Sequence, residues 1–133
     1  MNSNLDNTSD ITTIADAARQ ASENWKLAFN SGNAFGCADN YEADAVLQAR
    51  PIGTFSGKAE IQKFWQTLID DGFKEVEYID TKLEIIDPTQ AILTAGWKMN
   101  KAGGIIHKEL WVLQNDGTAK LREDYFEVLD QKE

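Results

Sequence analysis

Residues 58–76, KAEIQKFWQTLIDDGFKEV, decide the fold because the spacing of apolar residues changes within them. Before Gly72 the apolar residues recur at helical steps of three and four, at Ile61, Phe64, Trp65, Leu68 and Ile69. After Gly72 the step becomes two, which is typical of strands that bury one face. This stretch therefore predicts a helix over 58–71, followed by strands in the remainder of the chain.

The half of the chain after Gly72 predicts four antiparallel strands. They are expected at about 74–86, 90–100, 105–114 and 119–129. The segments between them are short and contain Asp, Asn, Gly and Pro, as hairpin connections do. Within the first of these strands the apolar phase flips between Tyr78 and Ile79, so a β-bulge is expected near Ile79 and Asp80.

The half before Gly72 predicts two more helices and one early strand. A long helix comes first, a short helix at about 34–41 carries Tyr41, and a strand at 45–49 ends at Arg50. Helices must cover one face of the sheet. The expected fold is α+β, a cone-shaped, curved antiparallel sheet wrapped around three N-terminal helices. Residues 1–9 are predicted to form a flexible tail and residues 10–133 a single domain.

The composition excludes several classes of partner. The chain has 133 residues, with 13 basic and 22 acidic side chains and a net charge of −9. That charge disfavours nucleic acid and anionic membranes, so neither is expected as a partner. One Cys, one His and the lack of a Gly-rich phosphate loop predict neither a metal nor a nucleotide cofactor. No apolar run suits a signal peptide or a membrane span, so a cytoplasmic location is expected.

Four segments resemble the nuclear transport factor 2-like superfamily in their order and spacing. They are WKLAFNSGN at 25–33, NYEADAVLQARP at 40–51, GKAEIQKFW at 57–65 and DGTAKLREDYF at 116–126. The resemblance spans about residues 11–129 and is nearest to the SnoaL-like and ketosteroid isomerase-like subgroup. It implies the same cone-shaped fold around a pocket for a small organic ligand.

The resemblance also implies which residues would carry steroid isomerisation, and two of the three do not suit it. Arg50 stands where the family has its Asp base, and a guanidinium cannot abstract a proton at neutral pH. Trp25 stands where the family has the Tyr of the oxyanion hole, and it lacks a phenolic hydroxyl. Only Glu109 matches, at the position of the protonated acid. A standard ketosteroid isomerase is therefore not expected.

Strand alternation predicts a different set of polar residues for the pocket. Residues two apart share a face, so His107 and Glu109 are expected together, as are Arg122 and Asp124. The family register turns both faces inward and places Arg50 at the pocket end of its strand. Six aromatic residues are candidates for the core or for the pocket wall: Trp25, Tyr41, Trp65, Trp97, Trp111 and Phe126.

Two interpretations of this polar set remain open. In one, His107, Glu109 and Asp124 are catalytic acids and bases, and Arg50 and Arg122 hold an anionic group of the substrate. In the other, the arginines and the acids pair with one another, because an unpaired buried charge is costly.

The function expected from these residues is binding of a small molecule. One hypothesis is a lyase, isomerase or cyclase that uses acid–base chemistry on a polar or anionic organic substrate without a cofactor. The alternative is a non-catalytic module for ligand binding or dimerisation. A homodimer is expected through the outer face of the sheet, where alternation places Ile106, Leu110 and Val112.

Overall fold

The computed structural model describes residues 13–131 of the chain. The predicted tail at residues 1–9 lies outside this range. The described residues form three helices: α1 (Ile14–Asn30), α2 (Ala34–Ala38) and α3 (Lys58–Asp70). They also form six strands: β1 (Tyr41–Arg50), β2 (Gly53–Ser56), β3 (Glu77–Asp87), β4 (Gln90–Lys98), β5 (Ala102–Leu113) and β6 (Ala119–Gln131). Within residues 13–131, no helix is long and apolar enough to cross a membrane.

The six strands form one curved sheet in the order β2-β1-β6-β5-β4-β3, and the helices cover its concave face. This confirms the predicted α+β cone. Strands joined by hairpins are antiparallel, as expected from the short connections. The sheet is nevertheless mixed, because β1 pairs with β6 in parallel. These two strands are far apart in the sequence, so no hairpin constrains their relative direction.

Helix α1 supplies most of the helical side of the core. Thr13 caps its N-terminus, since its hydroxyl accepts a hydrogen bond from the backbone N–H of Asp16 at 3.1 Å. Gly32, at a positive φ of 77°, follows the C-terminal cap. The buried side chains recur at helical spacing, at Ile14, Ala17, Ala18, Ala21, Ser22, Trp25 and Phe29. This stripe brings the Trp25 indole to the concave face of the sheet.

The region between α1 and α3 differs from the prediction. The second helix ends at Ala38, so Tyr41 is the first residue of β1 rather than part of a helix. The β1–β6 register shifts between Tyr41 and Val46, which breaks the apolar alternation that would have identified the start of this strand. Strand β2 was not predicted, because its four residues are largely exposed and carry no apolar pattern.

Three of the bulges in the sheet determine which of the predicted site residues face inward. The expected one lies in β3, where the register shifts between Ile79 and Lys82 and Asp80 has a positive φ of 53°. A second lies in β5, between Ile106 and Lys108. A third lies in β6 at Arg122, because Trp111 pairs with Leu121 whereas Leu110 pairs with Glu123. Each bulge inserts one residue and reverses the alternation beyond it.

The β5 bulge also changes the predicted outer face. Ile106 is buried against the core, so its placement on the outer face was wrong. Leu110 and Val112 are not part of the core cluster, but they are only 9% and 8% exposed, so the predicted row of exposed aliphatic residues does not form. The exposed apolar residues on this face are Ile105 on β5 and Ile79 on β3, and both pair with Gly96 of the strand between them.

Candidate functional site

The concave side of the sheet and helices α1 and α3 enclose a cavity of about 220 Å³. Most of its wall is aromatic or aliphatic, and it includes the side chains of Trp25, Trp65, Tyr78, Trp97 and Phe126. Two carboxyls, Glu109 and Asp124, also line it and are 3% and 5% exposed. An apolar cavity with a few convergent polar groups is the usual form of a small-molecule site.

Glu109 on β5 and Asp124 on β6 are direct partners in the antiparallel ladder. The Cβ atoms of such partners are about 4.5–5.5 Å apart, so the two carboxyls are neighbours. Burial, together with the charge of Asp124, raises the pKa of Glu109 to about 8. Burial raises the pKa of Asp124 to about 7. The pair therefore keeps a proton at neutral pH, where isolated carboxyls are ionised.

Glu109 is held by two hydrogen-bond donors. The Tyr78 hydroxyl donates to Oε2 at 2.8 Å, and the Trp111 indole donates to Oε1 at 3.0 Å. Both contacts favour the ionised form and so oppose the effect of burial on the pKa of Glu109. They also fix the orientation of the carboxyl at the cavity wall.

Asp124 is held by a chain of two donors. The Tyr41 hydroxyl donates to Oδ2 at 2.6 Å, and the Trp65 indole donates to the Tyr41 oxygen at 3.2 Å. An indole only donates, so the hydroxyl hydrogen of Tyr41 is directed to Asp124. Burial raises the pKa of Tyr41 well above its usual range, which keeps it a donor. The hydrogen bond from Tyr41 reaches Oδ2 of Asp124, and Oδ1 accepts none from a side chain or backbone group in residues 13–131.

The cavity wall also holds two donors without a protein partner. The indole nitrogens of Trp25 and Trp97 are buried and make no hydrogen bond within the described part of the chain. In contrast, the indoles of Trp65 and Trp111 both donate within the network around the two carboxyls.

The structure brings eight of the eleven predicted site residues together. Six line the cavity: Trp25, Trp65, Trp97, Glu109, Asp124 and Phe126. Tyr41 and Trp111 stand behind the wall and hold the two carboxyls. The remaining three residues are His107, Arg50 and Arg122, and none of them lines this cavity.

His107 and Arg122 lie outside because each is the extra residue of a bulge. The His107 ring is exposed, with Nε2 at 2.8 Å from Glu127 Oε1. Arg122 forms an exposed ion pair with Glu42, with Nε at 2.7 Å from Oε1. The prediction that they face the pocket was wrong, since unbroken alternation was assumed along β5 and β6.

Arg50 was predicted to lie at the pocket end of its strand, and that prediction was also wrong. In β1 the buried residues are Tyr41, Ala45, Leu47 and Ala49, and the last three alternate, so Arg50 points to the opposite side and is exposed. No guanidinium therefore stands beside the two acids, and the predicted cluster of arginines and acids does not form.

Sequence reasoning missed Tyr78 as a site residue. Its hydroxyl reaches Glu109 from β3, two strands away, and strand periodicity alone does not reveal such a contact. The two bulges left no clear signal in the sequence, because the inward residues beyond them are acidic, and the odd intervals appear only in the burial pattern of the structure. Ile106 and Glu109 are three apart, and Leu121 and Asp124 are also three apart.

Neither a reactive thiol nor a metal-binding cluster is found among residues 13–131. Burial raises the pKa of the Cys37 thiol to about 12, so it is a neutral core side chain rather than a nucleophile. In the range that the structure covers, no three His, Cys, Asp or Glu side chains are grouped to hold a metal ion.

Comparison with known proteins identifies the fold. No protein-family model matches the sequence, and no curated protein matches it. A ketosteroid isomerase-like protein from Erwinia carotovora atroseptica SCRI1043 is similar in structure, with a TM-score of 0.72 at 13% identity over 86% of this chain and 95% of that one. An NTF-2-like protein of unknown function from Shewanella oneidensis MR-1 has a TM-score of 0.72 at 15% identity, over 85% and 98% of the two chains.

A third similar structure is a putative scytalone dehydratase from Novosphingobium aromaticivorans DSM 12444. It has a TM-score of 0.71 at 13% identity, over 85% of this chain and 82% of that one. These similarities confirm that the chain has the nuclear transport factor 2-like fold, as the resemblance implied. Such a fold supports many unrelated activities, so function has to be argued from the site.

Proposed function

We propose that this chain binds a small, largely apolar organic molecule in the cavity and transfers protons to and from it with Glu109 and Asp124. The observation that carries the proposal is the pair itself, two buried carboxyls on adjacent strands that line the cavity. General acid–base catalysis works best when the pKa of the catalytic group is near the working pH. Burial brings both carboxyls into that range.

The pair can act as acid and base in one turnover. When it holds one proton, the ionised carboxyl accepts a proton from a carbon of the substrate, and the protonated carboxyl donates one at a second position. The total charge of the pair is then unchanged after the reaction. Isomerisation, elimination and ring closure all need this exchange, so the proposed enzyme class is an isomerase, lyase or cyclase that needs no cofactor. The fold neighbours named as a ketosteroid isomerase-like protein and a putative scytalone dehydratase support this choice.

The size of the cavity limits the substrate. An apolar cavity of about 150 Å³ holds a benzene molecule. The 220 Å³ available here suits a substituted ring or two small fused rings. The sequence predicted an anionic substrate because Arg50 and Arg122 were expected in the pocket. Neither residue lines the cavity, and the two carboxyls would repel an anion. We therefore propose an uncharged substrate.

Proton transfer can be tested without knowing the substrate. The protein is incubated in D₂O with a panel of small cyclic ketones, and deuterium at the α-carbon is measured by mass spectrometry. The proposal expects exchange above the buffer rate, and a loss of about a hundredfold or more in Glu109→Gln or Asp124→Asn. The control is Arg50→Ala, an exposed residue away from the cavity, which keeps the full rate. Exchange that survives in both carboxyl variants would overturn the proposal.

A non-catalytic binding protein is the second candidate. It is favoured by one observation, that both oxygens of Glu109 already accept hydrogen bonds from Tyr78 and Trp111. A carboxyl whose two oxygens are both hydrogen-bonded can have a structural role, in which it holds the residues of the cavity wall in place. Saturable binding of ketones with no deuterium exchange would favour this candidate.

We also propose that the chain forms a homodimer through the outer face of the sheet, centred on Ile79 and Ile105. These side chains are 43% and 40% exposed and lie on either side of Gly96, the β4 residue with which both pair. Burial of exposed apolar surface of this kind favours association.

The cytoplasmic location stays a prediction from the sequence.

A further inference from the structure

A lysine on α1 contacts the hydrogen-bond network of the two buried carboxyls. The side chain of Lys26 is 21% exposed, and its Nζ lies over the ring of Tyr78, 4.7 Å from the ring centroid. An ammonium group in this position is attracted by the electrons of the ring face. The contact joins α1 to β3 at the residue whose hydroxyl donates to Glu109.

The ammonium group of Lys26 is held by a carboxylate on its own helix. Glu23 lies one helical turn earlier, and its Oε2 is 2.7 Å from Lys26 Nζ. The side chain of Glu23 is 63% exposed, so this ion pair contributes little to stability. Its effect is on geometry, because it limits the positions that the long lysine side chain adopts over the ring.

The phenol group of Tyr78 connects Lys26 with Glu109. Its ring face receives the ammonium group, and its hydroxyl donates to Oε2 of Glu109 at 2.8 Å. A positive charge over the ring draws electron density from the hydroxyl oxygen, which makes the hydroxyl a stronger donor. Hydrogen bonds to an ionised carboxylate are stronger than those to a neutral one, so this donor favours the charged form of Glu109. Lys26 also acts through space, because unlike charges attract.

The groups around Glu109 act on its ionisation in opposite directions. Burial and the charge of Asp124 raise the pKa of Glu109, whereas the two donors Tyr78 and Trp111 and the charge of Lys26 lower it. Other titratable side chains of this network are Tyr41 on β1, which holds Asp124, and Cys37 on α2, which faces Tyr78. Burial raises the pKa values of both tyrosines and of the thiol, so all three are neutral. Within this set only Lys26 is a cation.

We propose that Lys26 is a positioning residue for Glu109, whose ammonium group strengthens the hydrogen bond from Tyr78 and stabilises the ionised carboxyl. The inference rests on the proposed function, because that reaction requires one ionised and one protonated carboxyl in the pair. Lys26 does not line the cavity, so it acts through Tyr78 rather than on the substrate. Its role is to let the pair release one proton near neutral pH, where burial favours retention of both.

The test follows the ¹³C carboxyl signal of Glu109 through a pH titration, which needs no substrate. Lys26→Met removes the charge and keeps an unbranched side chain over the ring. An elementary charge at about 10 Å in an effective dielectric of about 20, weakened by solvent screening, predicts that the midpoint pH rises by about 0.5–1. Lys26→Arg keeps a cation that stacks on aromatic rings, so it should restore the original midpoint. Lys63→Met, an exposed lysine on α3, is the matched control and should not move the midpoint.

Two further measurements separate this role from packing. Tyr78→Phe keeps the ring and removes the hydroxyl, so the shift caused by Lys26→Met should be smaller in that background. In the deuterium-exchange assay, Lys26→Met should lower the rate about threefold to tenfold below the midpoint pH. The rate should recover at higher pH, which the loss of a structural contact would not produce.

The inference is overturned if the Glu109 midpoint moves no further in Lys26→Met than in Lys63→Met. It is also overturned if Lys26→Arg fails to restore the midpoint, or if the shift is equal with and without the Tyr78 hydroxyl. Lys26→Gln is a second uncharged variant, to be used should Lys26→Met not fold. An unmodified protein that exchanges no deuterium, while its Glu109 signal shifts as expected in Lys26→Met, would support this inference and refute catalysis.

Discussion

Glu109 and Asp124 oppose each other across the β5–β6 ladder, and each accepts a hydrogen bond from a buried tyrosine hydroxyl. The tyrosines come from strands on opposite sides of this pair in the sheet, Tyr41 from β1 and Tyr78 from β3. Burial raises the pKa of Tyr78 well above its usual range, as it does for Tyr41, so both remain donors. Two acids that burial keeps partly protonated are thus fixed in orientation from both sides.

The first prediction concerns pH and stability. Because the folded state raises both pKa values, the folded protein holds protons that the unfolded chain has released. The free energy of unfolding should therefore fall as the pH rises from the ordinary carboxyl range, near about 4, towards about 8. The double variant Glu109→Gln with Asp124→Asn should lose most of this slope. Urea unfolding at several pH values measures it, and an equal slope in both proteins would contradict the prediction.

The second prediction concerns Tyr41. Tyr41→Phe removes the donor to Asp124 Oδ2 and leaves the Trp65 indole without its acceptor. The cost expected for such buried groups is about 1–3 kcal/mol in the free energy of unfolding. Loss of this donor should also raise the pKa of Asp124 further. Tyr125→Phe, on the outer side of the same sheet, is the matched control and should change the stability less. Equal effects of the two substitutions would refute a special role for Tyr41.

The third prediction concerns the residues that the bulges turn outward. His107→Ala removes an exposed hydrogen bond with Glu127, and Arg122→Ala removes an exposed ion pair with Glu42. Exposed pairs contribute about 0–1 kcal/mol, so stability should change little. Ligand affinity and deuterium exchange should not change, because neither residue lines the cavity. A loss of exchange in the His107 variant would show that the histidine acts at the site after all.

The fourth prediction concerns association. Ile105→Lys places a charge in the exposed apolar row formed with Ile79 on the outer face. Sedimentation should show a dimer for the unmodified protein and a monomer for the variant, since burying an unpaired charge opposes association. Lys82→Ala, elsewhere on β3, is a control that should remain dimeric. A monomer in the unmodified protein at micromolar concentration would rule out the proposed dimer.

The fold could be predicted because its signals are local and regular. The change of period at Gly72 identified the helices and the strands, and the phase flip beside Ile79 identified one bulge correctly. The site could be predicted only in part, because a side chain's direction depends on every bulge before it along the strand. Glu109 and Asp124 were expected to face inward and do so, whereas His107 and Arg122 are the inserted residues themselves. Contacts between distant strands, such as Tyr78 with Glu109, leave no pattern in the sequence.

The state of the two carboxyls is the centre of this account, and it can be observed directly. The protein is labelled with ¹³C at its Asp and Glu carboxyl carbons, and their chemical shifts are followed by NMR from acidic to alkaline pH. Glu109→Gln and Asp124→Asn identify the two signals. The pair is expected to titrate in two steps and to release its last proton near neutral pH or above. Complete ionisation of both carboxyls below about pH 5, as in exposed side chains, would contradict it.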